Sequence, residues 1–221
     1  MIAITDTSVF GWDAAVRGMR APMNSWDKND SYWTHIEDAE TGQTAKFEFF
    51  LGENDLKLMR SLVKGGDDHA KCLRMIHVQA DIIAPLYWWK EYDTYKVGTV
   101  ANSCSTMHKI HTKPIEVSDF SVEFIGTGVS LADMFHGVAS HCELLRRKYL
   151  ETQDKRYWKA LVQLLPQGYN QKRTVDINYQ VLAHMYFARR SHKLSEWHEF
   201  CDWTLTLPYF REIVVQEEND G

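Results

Sequence analysis

One domain mixing helices with strands is the fold class this sequence predicts, and three observations carry that expectation. The chain has 221 residues, 44% hydrophobic and 25% charged, which is ordinary globular usage and enough for a sizeable core without staples. Residues 45–50 and 117–124 alternate apolar and polar side chains, as half-buried strands do. Residues 55–63, 130–149 and 178–192 instead carry apolar residues at helical spacing.

The elements follow in order. Residues 10–20 read as a short helix with Ala14, Ala15 and Val16 inside, Arg17 and Arg20 on its flank, and Ala21-Pro22 as its stop. Residues 24–31 form a polar loop interrupted by Trp26, and the strand at 45–50 stops at Gly52. Asn54 caps a helix over 55–63, which Gly65-Gly66 terminates. Residues 67–75 begin a further helical segment that runs into a strand over 76–83. Pro85 suits the entry to an aromatic helix over 86–95, and the small, polar stretch 98–106 reads as a ligand loop. The strand at 117–124 ends near Gly126, and Ser130 with Asp133 caps the long helix through 149. A helix over 154–165 closes at Pro166. A turn at 167–170 and an extended piece at 173–177 lead to the helix at 178–192. The last helix, over 195–205, stops before Pro208, and the acidic tail 216–221 is expected to be flexible. There is no internal repeat and no linker that would divide the chain, so residues 1–221 are expected to form one domain.

The formal net charge of −5 gives no basic field, so neither nucleic acid nor an acidic membrane is an expected partner. Cys72, Cys104, Cys142 and Cys201 are widely spread and fit reduced thiols rather than a disulfide scaffold or a zinc ribbon. The first residues lack the basic and apolar regions of a signal peptide, and no apolar run is long enough to span a bilayer, so a cytoplasmic protein is expected. Eight Trp and ten Tyr suit either a large aromatic core or a pocket for a planar ligand.

Asn178 and Arg189 lie eleven residues apart, within roughly 20° of each other around a helix and roughly 16 Å apart along it, with Met185 between them. That face would hold the two ends of a long polar ligand, the guanidinium taking a carbonyl edge or a phosphate. Alternatively the Asn caps the helix and the Arg is solvated. Asn102-Ser103-Cys104-Ser105-Thr106 offers small residues and hydroxyls to an anion, with His108 and Lys109 close behind. The bland alternative is a polar surface loop. Cys104 reads as an inert small thiol rather than a nucleophile. His108, His111, His136 and His141 complete no recognised metal pattern, so no metal is expected.

Leu165-Pro166, then Asn178 and Arg189 at their observed spacing, resemble the C-terminal signature of the flavin-dependent thymidylate synthases. Glu196-Trp197-His198-Glu199, Gly65-Gly66-Asp67-Asp68-His69 and Ala14-Ala15-Val16-Arg17 are less specific likenesses to segments of the same family. In the middle of the chain, Thr94-Tyr95-Lys96 stands near the family's Arg-His-Arg triplet and keeps one positive charge, while Met107 falls where the family has an arginine. Asn178-Tyr179-Gln180 likewise departs from the family's Asn-Ala-Arg.

The resemblance implies an α+β fold, with an antiparallel sheet packed with long helices. It implies a homotetramer holding FAD between subunits and methylation of dUMP to dTMP with methylenetetrahydrofolate and NADPH. It implies that Arg189 is catalytic and binds the base, that Ser103, Cys104, Ser105 and Thr106 bind the phosphate of the dUMP-like substrate, and that His69, Lys96 and Asn178 bind the cofactor. The altered triplet leaves open a divergent protein that binds a nucleotide, or modifies another pyrimidine, without thymidylate synthase activity. A tryptophan-rich interaction module is the non-enzymatic alternative.

Overall fold

Side-chain pairs across neighbouring strands set the direction of the central sheet. A computed structural model describes residues 2–37, 44–122 and 131–216. Its four-stranded sheet has the order β1 (Ala3–Phe10), β4 (His77–Pro85), β6 (Asn170–Asn178), β5 (Thr99–Ser103), and a separate two-stranded sheet joins β2 (Tyr32–Glu37) to β3 (Thr44–Phe50). Asp176 meets His77 and Gln79, while Asp81 meets Thr174 and Lys172, so numbers rise along β4 as they fall along β6. The Cys104 amide donates to the Lys172 carbonyl and the Asn178 amide to that of Gly98, which makes β5 antiparallel to β6 as well. The protein is therefore an α+β fold of helices on antiparallel strands. β2 and β3 are antiparallel too, with Trp33 opposite Phe49.

The chain divides into two compact units, one formed by Met1–Thr5, Asp81–Lys96 and Ala101–Val175, the other by Asp6–Ala80, Val97–Val100 and Asp176–Gly221. In the first unit, α3 (Leu86–Tyr92) buries Trp88, Trp89 and Tyr92. The Trp89 indole donates to the Gln171 carbonyl at 2.9 Å, and the Arg173 guanidinium lies 4.2 Å over the same ring. α4 (Leu131–Thr152) and α5 (Lys155–Leu164) enclose Ala139, Cys142 and Leu161 together with Ile110, Ile115 and Phe120. Phe135, Val138, Ala139, Cys142 and Leu145 form the apolar stripe of α4 at helical spacing. The Asp154 carboxylate caps α5 by accepting from the Arg156 amide at 2.9 Å.

In the second unit, α1 (Trp12–Arg20) buries Trp12, Ala15, Val16, Met19 and Arg20. Gly11 precedes it at φ +95°, and a Cβ there would collide with the Met75 carbonyl, so only glycine serves. α6 (Tyr179–Arg189) and α7 (Ser195–Thr204) bury Tyr179, Leu182, Met185, Trp197 and Phe200. Arg20 donates from Nε to Asp55 at 2.6 Å, with both side chains almost fully buried. Asp55 also accepts from the amides of Asp30 and Ser31, each at 3.1 Å, and from the Ser31 hydroxyl at 2.6 Å.

Several local expectations give way. The helix α2 (Glu53–Lys64) is not capped by Asn54. The Asp30 carboxylate reaches across to accept from the amides of Asn54 and Asp55, at 2.8 and 3.1 Å. Burial opposes ionisation of Asp30, but these amide bonds hold its carboxyl below the usual range. The strand expected at 117–124 is instead a 3₁₀ turn over Val117–Asp119, because the Asp119 carboxylate takes the Glu116 amide and closes a capping box. Phe120 then makes one isolated bridge, to Tyr169. Residues 70–75 are 3₁₀ rather than α-helical, and the ligand loop expected at 98–106 begins as strand β5. Strands β1 and β2 were not expected. Residues 123–130, with Ser130 of the expected cap, and 217–221 of the acidic tail lie outside the described residues.

Asp55→Ala strands a buried guanidinium and frees the donors of Asp30 and Ser31. A destabilisation of about 3–5 kcal/mol is expected by chemical denaturation, with Ser31→Ala costing about 1 kcal/mol.

Candidate functional site

The turn that follows β5 and the strand β6 wall a cavity of about 380 Å³ in the first unit. Cys104, Ser105 and Thr106 line it, and Ser103, the last residue of β5, lies outside the lining. The backbone of Cys104 is held at both ends. Its amide donates to the Lys172 carbonyl at 2.9 Å, and its carbonyl accepts from the Gln171 side chain at 2.7 Å. The Ser105 hydroxyl oxygen accepts from the His108 amide at 2.9 Å, which turns the chain so that Lys109 also faces the cavity.

Among the described residues Lys109, Lys113 and Lys172 line the cavity with a single acid, Asp119, so its walls favour an anion. Lys172 also pairs with Asp81 at 2.6 Å. Tyr169 lines the cavity as well. Its phenol is pushed up to about 12 by burial and then by the negative charge of Asp119, so it stays a neutral donor.

Glu143 on α4 holds the 113–115 wall in place. It accepts from the Ile115 amide at 3.0 Å and pairs with Arg146 at 2.7 Å and Arg147 at 2.8 Å. The Arg146 hydrogen bond is the chief reason its carboxyl falls to about 2. Burial works against the shift, and Arg147 and the Ile115 amide add to it.

The remaining sequence-predicted residues stand as follows. Lys96 is exposed and belongs to the first unit. His69, Asn178 and Arg189 belong to the second. Asn178 is the N-cap of α6, its side-chain oxygen accepting from the Val181 amide at 3.0 Å. It packs so closely on Gly98 that a Cβ there would lie 2.6 Å from its amide nitrogen. Arg189, at the far end of the same helix, lies 4.8 Å over the Trp197 ring, and Met185 between them is fully buried. Met185 packs into the unit's own core, while Arg189 is half-buried and stacked rather than simply solvated. His69 is exposed beside a small cavity of about 240 Å³ that Met19, Met23, Met75 and Cys72 also line. Burial pushes the Cys72 thiol up to about 11, which leaves it inert. All four cysteines are free.

Sequence reasoning missed Lys113, Lys172, Tyr169 and Asp119 around the cavity. They come from two segments about fifty residues apart and share no motif. The one available signal was the period-two pattern of β6, which puts Asn170 and Lys172 on one face. Among the described residues no helix is long and apolar enough to cross a membrane, and no three His, Cys, Asp or Glu side chains come together as a metal site.

No protein-family model and no curated protein matches the sequence. Among solved structures, the chain is similar to the flavin-dependent thymidylate synthase ThyX from Helicobacter pylori complexed with FAD and dUMP. The TM-score is 0.67 at 16% sequence identity, covering 97% of this chain and 98% of that one. A second structure of Helicobacter pylori ThyX with FAD and dUMP gives a TM-score of 0.69 at 16% identity, covering 98% of each chain. The likeness shows the fold, and it is the α+β fold that the resemblance implied.

Above the usual carboxylate range the ionised Glu143 stabilises the first unit. That contribution is fully present above about pH 4.5, the ordinary value of a glutamate, and is lost as pH falls towards about 2. The melting temperature of the native protein should therefore fall more steeply across this window than that of Glu143→Gln. Parallel curves would contradict this role.

Proposed function

We propose that this protein is a divergent flavin-dependent thymidylate synthase, methylating dUMP to dTMP with methylenetetrahydrofolate, FAD and NADPH. The observation that carries the reading is the likeness over nearly the whole chain to proteins solved with FAD and dUMP. The lysine-rich cavity around Cys104, Ser105 and Thr106 supports it independently, because hydroxyls and ammonium groups at one cavity are what a nucleotide phosphate needs.

In this reading the loop Ser103–Thr106 holds the phosphate, with Lys109 and Lys113 supplying the charge that Met107 lacks. Tyr169 gives a neutral hydrogen bond to the bound nucleotide. Arg189 reads the pyrimidine edge, its guanidinium plane set by the Trp197 ring. His69 and Lys96 are exposed donors and fit a cofactor shared between chains of a homotetramer. Asn178 fixes the start of α6 and acts on the cofactor through that position. Bound FAD would supply the redox chemistry that couples NADPH to methyl formation, and the chain's own part is to bind and orient. The single cation left at Thr94-Tyr95-Lys96 favours one alternative, a protein of the same fold that binds a nucleotide or modifies another pyrimidine.

The purified protein should be yellow, or become so on reconstitution with FAD, with absorbance near about 450 nm. A protein that stays colourless but binds dUMP would favour the alternative. Arg189→Ala should abolish dUMP binding measured by calorimetry while leaving FAD bound, and unchanged dUMP affinity would sink the assignment. Lys109→Ala combined with Lys113→Ala should weaken dUMP by about 100- to 10,000-fold and uridine hardly at all, since each charge-assisted bond to phosphate is worth about 1.5–3 kcal/mol.

A further inference from the structure

A second cavity, of about 780 Å³, lies in the second unit, and its chemistry is the opposite of the lysine-lined one. Trp12 and Phe49 form its floor, stacked at 5.7 Å and nearly parallel, and both are buried. Its rim is Trp33, Phe47 and Trp203, of which Trp33 is 46% and Phe47 71% exposed. Two of the indole N–H groups are already engaged, Trp33 by Asp13 at 2.7 Å and Trp203 at 3.2 Å by Thr7, which also lines the cleft. The rings are thereby pinned.

Two carboxylates stand in its lining, Glu48 on β3 and Glu212. No lysine, arginine or histidine lines it among the described residues. The negative charge reaches the aromatic floor. Tyr179 packs edge-on to Trp12 at 5.5 Å, and its phenol is held well above its ordinary value by burial first and then by Glu212.

A phosphate-bearing ligand would meet two carboxylates and no cation here, and an uncharged apolar ligand would gain nothing from those carboxylates. An alkylated ammonium matches both features. The exposed rim rings of Trp33 and Phe47 can attract a cation that is weakly hydrated, and the two carboxylates balance its charge without requiring an N–H. We infer that this cleft is a binding site for a quaternary or fully alkylated ammonium group, separate from the proposed nucleotide cavity and independent of that reading.

The test is a titration of the full chain with choline and with its neutral isostere, in which carbon replaces nitrogen, read by tryptophan fluorescence and calorimetry. Choline should bind about tenfold or more tighter than the isostere. Phe47→Leu and Glu212→Gln should each weaken choline about three- to tenfold. Phe47 is exposed, so its variant keeps the native melting temperature, and neither variant should alter dUMP binding. Equal affinity for choline and its isostere overturns the inference, as does choline binding that survives both substitutions. A cleft closed by a second copy of the chain, shown by a dimer that forms at the titration concentrations and excludes choline, overturns it as well.

Discussion

The Asp55 carboxylate is the constraint on which the second unit depends. It is fully buried, and a buried charge is tolerated only where its acceptor capacity is filled. Four donors fill it, from Arg20 on α1 and from the backbone and hydroxyl groups of Asp30 and Ser31. Once Asp30 is fixed by this contact, its own carboxylate is aimed at the start of α2. One ion pair therefore orders the end of α1, the approach to β2 and the first turn of α2. Gly52 completes the arrangement, since a Cβ there would run into the Asp30 side chain. Replacing the pair by apolar residues could preserve stability but would remove this registration of three segments.

Much of the helical part of the fold was legible because its signals are local. The aromatic helix after Pro85, the Asp154 start, the Gly65 stop and the Asn178 helix all follow from caps, breakers and spacing within a few residues. The strands were less legible. β1 stands at a sheet edge, and apart from Ile4 and Val9 its residues are exposed, so its sequence shows no alternation to read. Residues 117–124 do alternate, yet a capping box between Glu116 and Asp119 outweighs that pattern, because a paired local hydrogen bond forms before any distant strand can compete. The cap of α2 shows the same limit from the other side, its carboxylate coming from twenty-odd residues upstream.

Of the candidate site, the loop residues Cys104, Ser105 and Thr106 were legible as an anion cradle from composition, and they do line a cavity. The cations and the phenol around them were not, since they meet through pairings distant in sequence, Cys104 with Lys172 and Phe120 with Tyr169. Asn178 and Arg189 illustrate how spacing can be right while its meaning shifts. They share a helix face as the geometry required, but Met185 between them is buried in the core and the half-buried Arg189 is stacked on Trp197. Two of the cavities differ in their electrostatics, with lysines around one and aromatic rings with two carboxylates around the other.

The way the two units thread through the chain bears on how the protein is made. Most of the first unit is one stretch, residues 81–175, interrupted only briefly. The second needs residues 6–80 and 176–216 together. On a ribosome, the early half of the second unit emerges first and must wait, with Trp12, Met59 and Leu73 uncovered, until α6 and α7 have been synthesised. The first unit can close in the meantime. The chain thus carries a long-lived, half-finished apolar surface during translation, the stage at which chaperone capture competes most directly with folding.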